Sequence, residues 1–124
     1  ALGTDGGCIP RNVILELGMS FVKTGAVTEE EFALKTAWRP AQILNLLNKG
    51  HFSQGADADI TIYDKATQKA VTTIVGGQKV LFEGKIENRP ATIIANPQSK
   101  DYLEGLAKSF TLVNPDQNFL RQPR

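Results

Sequence analysis

At 124 residues the chain has the length of one domain, with a core large enough in principle to fold alone. Its 41% hydrophobic and 22% charged content is ordinary for a globular protein, and a net charge of +1 with scattered Lys and Arg leaves no basic stripe for nucleic acid. No apolar run approaches the ~20 residues that span a bilayer, no signal peptide is visible from Ala1 onward, and a single cysteine excludes an internal disulfide and fits a cytoplasmic protein.

In chain order, Ala1-Leu2-Gly3-Thr4-Asp5-Gly6-Gly7 reads as a short buried strand ending in a carboxylate on a glycine-rich turn. Ile14, Leu17, Gly18 and Phe21, with Val22 beside them, recur at helical spacing and predict a helix over 13–23 that Gly25 stops. Thr28 followed by Glu31 is a capping-box signature, and Val27 with Phe32 is placed as a hydrophobic staple, so a helix over 28–37 is predicted. Arg39-Pro40 should break it, because the residue before proline avoids the helical region. Pro40 then sits at the first position of a new helix to Asn48, which Gly50 ends.

After Gly50 the period changes from helical to alternating. Strands are predicted at 60–63, 71–75 and 78–82, with Gly76-Gly77 as the two-residue turn of a hairpin and Glu83-Gly84-Lys85 turning the chain again. Beyond Asn88 the pattern thins to an apolar stretch at 92–95, a helix from about Ser99 to Lys108 and a polar end. The chain divides near Gly50 into a helical half and a β half.

Asp5 is the main candidate for chemistry. A carboxylate at the C-terminal end of a strand, between residues that let the backbone turn sharply, lies where barrel enzymes place catalytic groups. Such a group can ligate a divalent metal or take a proton from metal-bound water; an ordinary Asp-Gly turn is the alternative. Gly6, Gly7 and Arg11 are candidates for touching substrate. Arg11 can grip a carboxylate bidentately, or solvate a helix start. Cys8 reads as a small packing residue, because nothing pairs it with the lone His51 as a base. His51 itself reads as structural or exposed rather than as a metal ligand. Asp57 and Asp59 lack the spaced ligands of a calcium loop and are read as fixing the turn into the strand. Trp38 and the phenylalanines read as core.

Ala37-Trp38-Arg39-Pro40-Ala41 through Leu44-Asn45-Leu46, then Lys49-Gly50 and Gly55-Ala56-Asp57-Ala58-Asp59-Ile60, resembles the region that follows the barrel in the amidohydrolase superfamily. Val75-Gly76-Gly77-Gln78-Lys79-Val80 and Glu83-Gly84-Lys85 resemble the hairpin that comes next, and the likeness covers about residues 1–88. It implies an α/β fragment: the last strand and trailing helices of a (β/α)8 barrel over 1–50, part of a small β-sandwich over 51–88, and a tail with one helix over 89–124. A whole barrel needs about 250 residues, so the resemblance implies a C-terminal portion that is inactive as an isolated chain. Its partners would be the remainder of the barrel and a small-molecule substrate, with a homo-oligomer an option and neither nucleic acid nor membrane involved.

The same resemblance implies that Asp5 binds the metal, zinc as one or two ions, and moves the proton during hydrolysis of a carbon–nitrogen bond, the other ligands lying outside this chain. Thr4-Asp5-Gly6-Gly7 departs from the Asp-His pattern of dihydroorotases and hydantoinases and looks closer to isoaspartyl dipeptidase and D-aminoacylase types. A deaminase or chlorohydrolase branch acting on aminated heterocycles ranks second. From a different class, a non-enzymatic α+β module that binds a partner through exposed strands would make Asp5 a turn residue.

Overall fold

The computed structural model describes residues 13–87, 92–106 and 109–114. The opening strand, with Asp5, Gly6, Gly7, Cys8 and Arg11, lies outside the described residues. What is described is a mixed α and β structure with helices, a four-stranded antiparallel sheet and a two-stranded parallel one.

Helix α1 spans Ile14–Lys23. It closes on Thr24 with a Schellman motif: Ala26 N–H donates to Phe21 C=O at 2.9 Å and Gly25 N–H to Val22 C=O at 3.0 Å, with Gly25 at φ +76°. Helix α2, Glu29–Ala33, begins where the capping box predicts. Glu31 N–H donates to Thr28 Oγ1 at 3.0 Å, and Thr28 N–H to the Glu31 carboxylate at 2.9 Å.

The predicted break at Arg39-Pro40 is not there. The chain instead runs from α2 through a π-helical segment, Leu34–Trp38, straight into α3, Arg39–Ile43. Arg39 N–H reaches five residues back to Leu34 C=O. Pro40 has no N–H to offer Thr36 C=O and its ring crowds that carbonyl, and a widened turn is one way a helix accommodates both. The predicted continuation of the helix to Asn48 is also corrected. Asn45 adopts φ +54° just past the Leu44 cap, and Leu46 N–H donates to Ala41 C=O while Asn45 N–H donates to Gln42 C=O. That is a second Schellman ending, with asparagine in the glycine position.

The sheet takes β1 Ile60–Asp64, β2 Lys69–Val75, β3 Gln78–Phe82 and β4 Lys85–Ile86 in sequence order. Neighbouring strands are antiparallel, and the register shifts between Ile62 and Tyr63 and again between Thr73 and Ile74. The turn between β2 and β3 has positive φ at both Gly76 and Gly77, as a hairpin turn that matches strand twist requires. Further on, β5 Ile93–Ala95 pairs in parallel with β6 Phe110–Leu112, connected through a 3-10 turn at Pro97–Ser99 and α4, Lys100–Gly105. The β6 strand was not anticipated from the sequence.

The core is thin. Among the described residues the buried apolar side chains are Met19, Phe32, Ala41, Leu46 and Leu103, and none is wholly enclosed. Phe52, Tyr102, Leu47 and Ile86 are 84%, 71%, 68% and 62% exposed. Helix α1 approaches α2 closely at Gly18, where an added Cβ would lie 1.9 Å from Cε2 of the buried Phe32. Gly18→Ala must therefore displace that ring, a form of overpacking that costs about 1–3 kcal/mol. A lower urea midpoint at unchanged slope is expected even though alanine gains about 1 kcal/mol of helix propensity there; a raised midpoint would mean that α1 and Phe32 are not in this contact.

Candidate functional site

The most connected group of charged side chains sits where the helical half meets the sheet. Lys49 follows the Schellman ending of α3, and its ammonium reaches Asp57 Oδ2 at 2.8 Å and Asp59 Oδ2 at 2.6 Å. Asp57 also accepts from Asn48 Nδ2 at 2.7 Å, while its own N–H donates to Asn48 C=O at 2.8 Å. Asp59 Oδ1 accepts from Gly76 N–H at 2.7 Å, and Gly77 N–H donates to Ala58 C=O at 3.0 Å. One short stretch, 57–59, thus binds the end of the helices on one side and the turn of the β2–β3 hairpin on the other.

These bonds set the charges of the group. The hydrogen bond to Asp57, then that to Asp59, raises the Lys49 pKa above its ordinary value despite partial burial. Asp57 is lowered by Lys49 first and Asn48 second, and Asp59 by Lys49 first and the Gly76 N–H second. All three are ionised at neutral pH and mutually paired, so the arrangement offers neither a free base nor an open cation site. It is a clasp, and Asp57 and Asp59 fix the turn into β1 as the sequence suggests.

His51 lies beside it and is likewise engaged. Its Nε2 meets Leu47 C=O at 2.8 Å and its Nδ1 accepts from Ser53 N–H at 3.2 Å, which requires the neutral tautomer with the proton on Nε2. Trp38 packs edge-on against the ring with centroids 5.4 Å apart, so Trp38 is half-buried against this loop. Gly50, at φ +79°, comes so close to the π-helical segment that a Cβ would lie 2.7 Å from Ala37 O.

A metal centre does not fit the described residues. No group of three or more His, Cys, Asp or Glu among them is placed to hold an ion, and His51 has no nitrogen to spare. Asp5, Gly6, Gly7 and Arg11 cannot be placed relative to the clasp, because they lie outside the described residues. An open cleft of about 440 Å³ lies between α1 and the β1–β2 turn, lined by Met19, Val22, Lys23, Glu29, Lys65 and Gln68. The Lys65–Glu29 ion pair, 2.6 Å, joins its two sides. The cleft contains none of the clasp residues, and no buried side-chain nitrogen or oxygen without a partner occurs among the described residues. No helix among them is long and apolar enough to cross a membrane.

No protein-family model matches the chain, and no solved structure matches it.

Two outcomes test the clasp. Asp59→Ala removes the acceptor for Gly76 N–H, whereas Asp59→Asn keeps one; hydrogen exchange at the Gly76 amide should quicken in the first and change little in the second. Equal protection in both would mean that the carboxylate does not hold the turn.

The second outcome concerns pH. Both carboxylates titrate below the ordinary value of 3.8 when folded, so on acidification the unfolded chain takes up protons first. The stabilisation is full above about pH 5, falls as the pH passes 3.8, and is gone below the lowered folded values. For partly exposed groups the whole clasp is worth about 1 kcal/mol. The double variant Asp57→Asn/Asp59→Asn should have a lower urea midpoint at about pH 6 and lose less between there and about pH 3 than the parent protein. Parallel losses would contradict the assignment.

Proposed function

We propose that the chain is the C-terminal portion of an amidohydrolase-type enzyme that hydrolyses a carbon–nitrogen bond, amide or related, in a small-molecule substrate. The observation that carries the proposal is the coincidence of the motif with the clasp. Lys49-Gly50, Gly55-Ala56-Asp57-Ala58-Asp59 and Gly76-Gly77, whose order resembles the post-barrel region of that superfamily, are the segments that bond to one another through Lys49, Asp57, Asp59 and the Gly76 N–H. Residues 1–50 would then hold the last barrel strand and its trailing helices, and β1–β4 would belong to a small β-sandwich. The exposed Leu17 and Phe21 on α1, and Ile62 and Ile86 on the sheet, agree with a chain that packs against further structure.

In this reading the chain's own part in the chemistry rests on Asp5, which would also be one ligand of a divalent metal whose other ligands lie outside this chain. Its carboxylate would accept a proton from the water that attacks the substrate carbon and deliver it to the nitrogen that leaves, with Gly6 and Gly7 letting the backbone approach the substrate and Arg11 holding a substrate carboxylate. Within the superfamily, isoaspartyl dipeptides and acyl-amino acids are the first substrates to try. The second reading, a strand-binding module without catalysis, is favoured by one observation: β1 and β4 each pair on one side only in the four-stranded sheet.

The reading is tested first by sequencing the gene upstream of the Ala1 codon. A His-x-His after a predicted strand, with further histidines before Asp5, is expected; an initiator codon directly before Ala1 with no such residues would favour the binding module. In the protein encoded by the whole gene, Asp5→Asn should abolish turnover of isoaspartyl dipeptides or acyl-amino acids while leaving the thermal melt unchanged. Retained turnover would remove Asp5 from the mechanism. Activity confined to aminated heterocycles would move the enzyme to the deaminase branch.

A further inference from the structure

We draw no further inference here: the strongest candidate, the apolar surface left open on α1 at Leu17 and Phe21 and along the edge of β1 at Ile62 that is unpaired among the described residues, carries nothing because nothing in the structure shows what covers it.

Discussion

Two carboxylates two residues apart in an extended chain lie on the same face, and Asp57 and Asp59 converge on one ammonium, that of Lys49. The backbone between them explains how. Asp59 N–H donates to Asp57 C=O at 2.8 Å, a three-residue turn that draws the two residues together. Brought so close, the two anions repel, and the charge of Asp57 alone would push the Asp59 pKa upward. Lys49 reverses that sign. The junction depends on this neutralisation: the loop from 51 to 56 is otherwise fastened by His51 and a few backbone bonds, and the β2–β3 turn meets the preceding loop through Asp59 and Ala58.

Much of this was legible in the sequence, and the parts that were not fail for definable reasons. Thr28 and Glu31 announce a helix start because both halves of the box are local bonds that need no tertiary partner. Gly76-Gly77 announces the hairpin because few other residues tolerate positive φ twice in succession. The early end of α3 was hidden because Asn45 does a task more often given to glycine, and Gly50 five residues later drew the boundary to itself. The π-helical segment was hidden because proline is usually read as a stop, whereas this helix widens around it. β6 is three residues long, too short to show a periodicity of its own, and pairs with β5 across a helical crossover.

The candidate site divides in the same way. Asp57 and Asp59 could be read as turn-fixing residues from their pattern alone, but their common partner Lys49 could not, since an ion pair across a loop leaves no periodic trace. His51 could be set aside as a ligand from its solitude, and the structure supplies the positive reason in its two backbone partners. The sparse burial agrees with these local devices. Fully burying one large apolar side chain contributes about 1.5–3 kcal/mol, and Phe52, Leu47 and Ile86 keep most of their surface in water. Caps, turns and the clasp therefore supplement a thin core in the described residues.

The π-helical segment also settles a question of phase. At about 100° per residue, the nine steps from Phe32 to Ala41 would turn an unbroken α-helix through about 900° and set the two on opposite sides. Both are buried. Spreading Leu34–Trp38 over a wider turn takes out close to one residue's worth of rotation and swings Ala41 back toward the side of Phe32. The segment therefore behaves as an absorbed insertion. Deleting one of its residues would leave a plain helix with nearly the same inward face, at the expense of bringing the Pro40 ring against the carbonyl one turn before it. Chain length is negotiable at this point, while the spacing on either side, from Thr28 to Phe32 and from Pro40 to Asn45, is not.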